Sequence, residues 1–324
     1  MKRRDFQQAV AAILLLGTPL RGFGQPVART VRVGILGAQG GTPWMASFEQ
    51  RMRELGYVEG GNLRYRYPSG DYRLDRFSEM AAELFREKLD IALVGGSELA
   101  LKAARQAAGA TPIVMVAIDY DPVATNHITS LSRPGGNITG VTFQHIELAS
   151  KRLELLRQTL PYADRVGALF DAATRNQMQA AQEAAKTLGI TLVPLELTGN
   201  PYNYDAAIGA GLRARAKAIL LLSSGVFFRD RITLLKTATR HRLPVFSNPN
   251  YSDAGALLAY GPSFPEMYRR AAEYVDRILK GADPATMPVE QPTKFETVLN
   301  KKTAKALGIN IPNSILVRAD KVIE

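Results

Sequence analysis

From Val31 onward the chain alternates short apolar runs with amphipathic stretches. Val31-Arg-Val-Gly-Ile-Leu36 reads as a strand that ends in Gly37-Ala-Gln-Gly-Gly-Thr-Pro43, and a helical stretch follows from Met45 to Leu55, stopped by Gly56. Residues 62–67 alternate as a second strand, Leu74 to Arg86 read as a helix, and Asp90 to Val94 form a third strand ending in Gly95-Gly96-Ser97. A helix from Leu99 to Ala107 and a strand from Pro112 to Ile118 complete one unit. Strands that alternate with helices of this length need right-handed crossovers, which implies a parallel sheet covered on both faces.

The same grammar then restarts. Helices are expected over Lys151–Leu160, Gln177–Leu188, Asp205–Ala214 and Arg231–His241, and strands over Val166–Phe170, Thr191–Leu195, Ala218–Leu222 and Pro244–Ser247. Two similar α/β lobes follow from this. Between them, Leu131 to Gly140 is rich in turn formers and is the first candidate hinge. Later, Ser263 and Glu266 have the spacing of a capping box ahead of a helix whose apolar stripe is Met267, Ala271, Val275, Ile278 and Leu279. Residues 281–292 hold three prolines and read as a further crossing. The expected division is therefore 30–140 plus 257–290 for the N-terminal lobe and 141–256 plus 291–324 for the C-terminal lobe.

The N-terminus stands outside this pattern. Lys2-Arg3-Arg4 precedes an apolar run from Ala9 to Leu16, then Gly17 and Pro19, and Gly22-Phe23-Gly24 offers a small-x-small cleavage site. About eight apolar residues fall far short of the ~20 that span a bilayer, so residues 1–24 are expected to be a cleaved export signal. Arg3-Arg4-Asp5-Phe6 has the look of a twin-arginine signal, although Gln7 and Gln8 depart from it, so the Sec and twin-arginine routes both stand. The chain holds no cysteine, which removes disulfides, thiolate metal sites and thiol nucleophiles, and also the attachment point for a bacterial lipid anchor. Hence the mature protein is expected free in the periplasm.

The whole chain carries 41 Lys and Arg against 30 Asp and Glu; without residues 1–24, which hold four basic groups and one acidic group, 37 stand against 29, a net charge of +8. These charges are scattered and no helix-turn-helix or zinc spacing accompanies them, so a solvated basic surface is expected and no nucleic-acid partner.

Ordered segments along almost the whole chain resemble one family. They are Arg53-Glu-Leu-Gly-Tyr-Val-Glu-Gly60 with Asn62, Asp121-Pro-Val123, Ser130-Leu-Ser-Arg-Pro-Gly-Gly-Asn-Ile-Thr-Gly140, Leu153-Glu-Leu-Leu156, Ala238-Thr-Arg-His-Arg-Leu-Pro244, Tyr260-Gly-Pro262, Tyr268-Arg-Arg-Ala-Ala272 onward to Lys280-Gly281, Gln291-Pro-Thr-Lys-Phe295, Asn300 and Lys302-Thr-Ala-Lys-Ala-Leu-Gly308. The chain is similar in these to ABC-transporter substrate-binding proteins related to the tryptophan-binding lipoprotein of streptococci. That resemblance implies the type I periplasmic-binding-protein fold, two Rossmann-like lobes with parallel sheets joined by a multi-strand hinge. It also implies a monomer that delivers a small organic solute, an amino acid or an aromatic compound, to an ABC permease with a separate ATPase subunit. The sequence departs from the family where it has Tyr120 in place of a common glycine and Asp171-Ala172 in place of a common Asn-Pro.

In open parallel sheets, ligands bind beyond the carboxyl ends of the strands, where helix N-termini present free N–H groups. That rule selects Gln39, Thr42, Trp44, Gly96, Ser97, Asp119 and Tyr120 from the first lobe, and Asp171, Thr174, Asn176, Ser223, Ser224, Phe227, Ser247, Asn248 and Tyr251 from the second. Ser97 and the turn at Thr174 to Asn176 would suit a carboxylate, and Asp119 and Asp171 an ammonium group. Trp44, the one tryptophan, either lines the cleft or packs the first helix on its own lobe.

Competing chemistries are less well equipped. The glycine-rich turn at 34–40 invites a dinucleotide, but the second strand, Arg64-Tyr65-Arg66-Tyr67, has no acid for a ribose. Ser97 lacks the second glycine of a nucleophile elbow, and His127, His145 and His241 have no metal-ligand spacing. No catalysis, cofactor or metal is expected. A nucleotide- or sugar-nucleotide-dependent enzyme and a ligand-sensing partner of a membrane receptor are the alternatives.

Overall fold

A computed structural model describes residues 30–37, 42–69, 74–118, 120–143, 146–199 and 201–324. The expected export signal, Gln39, Asp119 and most of the glycine turn after Leu36 lie outside the described residues. The first sheet is built from β1 (Val31–Leu36), α1 (Pro43–Glu54), β2 (Leu63–Arg66), α2 (Phe77–Arg86), β3 (Ile91–Gly96), α3 (Glu98–Ala107), β4 (Ile113–Ala117) and β5 (Ile138–Thr142). Its strand order is β2-β1-β3-β4-β5 and every pairing is parallel. The second sheet takes α4 (Ile146–Thr159), β6 (Arg165–Phe170), α5 (Arg175–Thr187), β7 (Thr191–Glu196), α6 (Tyr204–Arg213), β8 (Ala218–Leu221), α7 (Gly225–Arg229), α8 (Arg231–Arg240), β9 (Val245–Ser247) and β10 (Leu258–Pro262). Its order β7-β6-β8-β9-β10 repeats that of the first, so the two lobes have the same winding. Beyond β10 the chain adds α9 (Phe264–Leu279), β11 (Phe295–Asn300), α10 (Lys301–Leu307), α11 (Asn313–Leu316) and β12 (Lys321–Ile323); β11 pairs antiparallel to β10 and parallel to β12 at the far edge.

The alternation of apolar strands and amphipathic helices thus gives the two α/β lobes it implied, with strand cores such as Ile91–Val94 and Ala218–Leu221 shut off from solvent on both faces. The boundaries differ from expectation in two places. Leu131 to Gly140 is no hinge: Ile138 to Thr142 pair with β4, and Val141 and Phe143 sit in the first lobe's core, so the first crossing comes after Phe143 rather than at 140. Residues 258–262 stay in the second sheet, because β10 continues the parallel ladder beside β9, and the second crossing falls at Ser263 rather than at 257. The third crossing is near its expected place, since Glu290 still bridges to Val141 of β5 and Phe295 already pairs with Pro262.

α9 returns to the first lobe as its stripe required, burying Met267, Ala271, Val275 and Ile278 against α1 and the first sheet. Four charges rivet this packing from outside, with Arg269 on Glu54 at 2.7 Å and Arg51 on Glu273 at 2.9 Å. Ser263 occupies the N-cap but makes no side-chain cap bond. Pro265, the second helical residue, has no N–H to offer the Ser263 hydroxyl, and the Glu266 N–H at the third position is not engaged by it either, so the expected capping box does not form. Among the described residues no helix is long and apolar enough to cross a membrane.

Candidate functional site

The lobes face each other across a cleft with about 700 Å³ of empty space, counting the part continuous with solvent. It lies where the topology directs it, at the carboxyl ends of β1, β3 and β4 in one lobe and of β8 and β9 in the other. Gly37 adopts φ +74°, and a side chain there would collide with the carbonyl oxygen of Gly95, so glycine lets the ends of β1 and β3 close on each other.

Thr42 caps α1 by accepting from the Met45 N–H at 3.4 Å, and Pro43 opens the helix, which starts two residues before the expected Met45 and puts Trp44 in its first turn. Trp44 serves both of its anticipated roles, since it lines the cleft and also rests on the first lobe's core. Its indole meets Phe228 of the second lobe edge-on, with centroids 4.7 Å apart, and Phe264 and Tyr268 of α9 at 6.0 and 6.4 Å. The guanidinium of Arg231 covers Phe228 at 4.2 Å from the ring centroid. Aromatic rings from both lobes therefore touch across the cleft, which is closed.

At the other wall, Ser97 precedes α3 with its hydroxyl buried and without a hydrogen-bond partner, and it makes no cap bond. A buried hydroxyl left unpaired beside free helix N–H groups is a costly arrangement that an acceptor in the cleft would relieve. Ser223 and Ser224 face it from the second lobe. Gln177 fixes the Ser223 backbone from both sides, accepting from its N–H at 2.9 Å and donating to its carbonyl at 3.1 Å. Asn248 donates to the Ser223 hydroxyl at 3.0 Å, and the Tyr251 hydroxyl reaches the Ser224 carbonyl at 3.3 Å. Arg229 brings the charge. It is paired in two-pronged fashion with Asp230 at 2.7 and 3.0 Å, and the Tyr204 hydroxyl donates to the same carboxylate at 2.8 Å. Partial burial works to raise the Asp230 pKa, but these bonds outweigh it and hold the carboxyl below its ordinary value.

Of the residues selected from the sequence, Thr42, Trp44, Gly96, Ser97, Ser223, Ser224, Asn248 and Tyr251 line the cleft. The others with described positions stand elsewhere. Asp171 is buried behind the wall, where it accepts from Ser224 at 2.5 Å and Tyr202 at 3.3 Å, and Thr174 closes the same turn by bonding Asp171. Burial, followed by the Asp171 charge, pushes the Tyr202 hydroxyl up to about 12. Asn176 is on the exposed face of α5, opposite its buried residues Gln177, Met178 and Ala181. Phe227 packs into the second lobe's core beside Tyr202 and Tyr204. Its neighbour Phe228 takes the cleft, because successive helical residues point about 100° apart. Ser247 is buried and donates to Leu221, tying β9 to β8, and Tyr120 packs edge-on to His127.

Gly37, Ile118, Gly225, Phe228, Arg229, Asn250, Phe264 and Tyr268 line the cleft without having been selected. A signal existed for Phe228 and Arg229, since Ser224-Gly225 after a strand is a helix start; none marked Phe264 and Tyr268, whose helix reaches the cleft only because the chain crosses at Ser263.

Residues 44–323 match the family model described as ABC transporter substrate binding protein. The chain belongs to this family. A curated relative, a tyrosine-binding protein of Clostridioides difficile, is 24% identical over 266 residues, covering 81% of this chain and 75% of its own. Among solved structures, the ABC domain in complex with L-Trp from Streptococcus pneumonia aligns with TM-score 0.81 at 22% identity, covering 91% of this chain and 100% of that one. The ligand-free, open form of a substrate binding protein with adhesive properties from Clostridium difficile aligns with TM-score 0.66 at 21% identity, covering 91% and 99%. This substrate-binding protein shares their two-lobed fold, and as a family member it binds a small solute for an ABC transporter.

Proposed function

We propose that the chain is the periplasmic, monomeric receptor of an ABC importer, exported by removal of residues 1–24, free of a lipid anchor, and closing without catalysis over a small aromatic solute that carries a carboxylate. The observation that carries this reading is the cleft wall itself: Trp44 and Phe228 meet from opposite lobes at 4.7 Å, beside the unpartnered Ser97 hydroxyl. A planar ring entering between Trp44 and Phe228 would replace their mutual contact with contacts to itself, and its carboxylate would take the Ser97 hydroxyl, the N-terminus of α3 and Arg229. Because such a ligand touches both lobes only when they are closed, it stabilises that state, which is what a permease can read.

The ligands of two relatives, tyrosine and L-Trp, support an aromatic ring. They also favour an α-amino acid, yet among the described lining residues no carboxylate faces the cleft to meet an ammonium, Asp171 being committed to Ser224 and Tyr202. Titration calorimetry with L-tyrosine, L-tryptophan, 4-hydroxybenzoate and a neutral sugar tests the reading. Binding of the aromatic acids supports it; binding of the sugar alone, or turnover of any of these compounds, overturns it.

A further inference from the structure

Arg152 is 1% exposed, yet no carboxylate of the described residues pairs with it. Its Nε–H donates to the Tyr260 carbonyl at 2.8 Å, and its Nη2 is buried without a partner. Burial draws its pKa down to about 10, which leaves it a cation at neutral pH. A buried, uncompensated charge is strongly unfavourable, and an apolar side chain of similar volume would fill the same space without that penalty. Core stability therefore does not account for an arginine here.

Its position does. Arg152 stands on α4, the first element after the first crossing. The carbonyl it holds belongs to β10, two residues before the second crossing ends that strand, and the Tyr260 ring stacks on Phe295 at 5.9 Å with planes 17° apart. Phe295 is the first residue of β11, directly after the third crossing. One guanidinium thus ties together the second-lobe ends of all three connections. On its other side only Gly261 separates it from the cleft wall: a Cβ placed on that glycine would lie 3.2 Å from Nη2 and 3.6 Å from Cβ of Asn248, which lines the cleft.

We propose that Arg152 is the positioning residue of the hinge, fixing the three crossings through Tyr260 and Phe295 so that the angle between the lobes follows the state of the Asn248 wall. This rests on the reading of a two-lobed receptor that closes, and it assigns no ligand contact to Arg152. A flexible apolar replacement leaves the crossings independent of one another, and the lobes then sample a wider range of separations.

The test needs no ligand. The chain has no cysteine, so Lys102→Cys on α3 and Lys236→Cys on α8, both exposed, give a single pair of spin-label sites, one per lobe. Pulsed dipolar distance measurements on the ligand-free protein should show a broader distribution in R152M and in F295A than in the parent pair, with R152K falling between. Phe295 is 38% exposed, so F295A keeps the test open should R152M fail to fold. Unchanged distributions in F295A and R152K, whether or not R152M folds, overturn the proposal. Solute binding by the parent protein is scored separately by calorimetry; its absence would sink the proposed function and leave the distance result standing on its own.

Discussion

The Ser224 hydroxyl donates to Asp171 Oδ2 at 2.5 Å, so this acid behind the second-lobe wall is spent on the protein itself. Removing it in D171A leaves Ser224 and Tyr202 without their acceptor. Chemical denaturation should find a loss of about 1–3 kcal/mol, the usual consequence of orphaning buried donors. Calorimetry should find weaker solute binding as well, because Ser224 would rotate. If D171A loses affinity for an amino acid but keeps it for the ammonium-free analogue, Asp171 meets the ligand after all.

Trp44 is the one tryptophan, so intrinsic emission reports on the cleft alone. A bound aromatic solute should shift that emission, and W44A should weaken binding by more than about 1 kcal/mol, as for an aromatic anchor. Since the indole is only half-buried, the melting temperature should fall modestly. Normal binding with a large drop in melting temperature would assign Trp44 to the core instead.

Replacing an N-cap serine by alanine commonly costs ~1 kcal/mol, but the Ser97 hydroxyl makes no cap bond. S97A should therefore leave the ligand-free protein at least as stable as the parent, while reducing solute affinity several-fold. Equal affinity in the two proteins would show that the hydroxyl faces no ligand acceptor.

Glu54 joins α1 to α9. Its hydrogen bonds to Arg269 and then Arg51 lower its pKa from the ordinary 4.5 to about 2. A depressed folded-state value means that this contribution is complete above about pH 4.5 and disappears as the pH falls toward 2. The acid branch of the melting curve should consequently be shallower in E54Q than in the parent across that window, with the two differing by a constant amount above it. Parallel acid branches would show the ion pairs to be too well solvated to matter.

The double winding was legible because each strand is a run such as Ile91-Ala-Leu-Val94, buried on both faces, and each helix carries a stripe such as that of α9. The first two crossings were not. Leu258-Ala-Tyr-Gly-Pro262 is apolar enough to belong to either sheet, and only its register beside Phe246 and Ser247 decides the matter. Half of the chosen site residues reach the cleft because strand ends can be located from periodicity. The choice between Phe227 and Phe228 could not be made that way: it depends on the phase of α7, a helix of five residues, too short to display a stripe.

The return of α9 also dictates an order of assembly. Its face of Met267, Tyr268, Ala271 and Val275 closes one side of the first sheet, yet it emerges from the ribosome more than a hundred residues after β5. Until then Val33, Leu93 and Val116 are covered only in part, by Met45, Phe48 and Met52 of α1, and the second lobe, which lacks β11 and β12, is unfinished too. Neither half can complete its core during synthesis; the two mature together, late, once the last sixty residues are free.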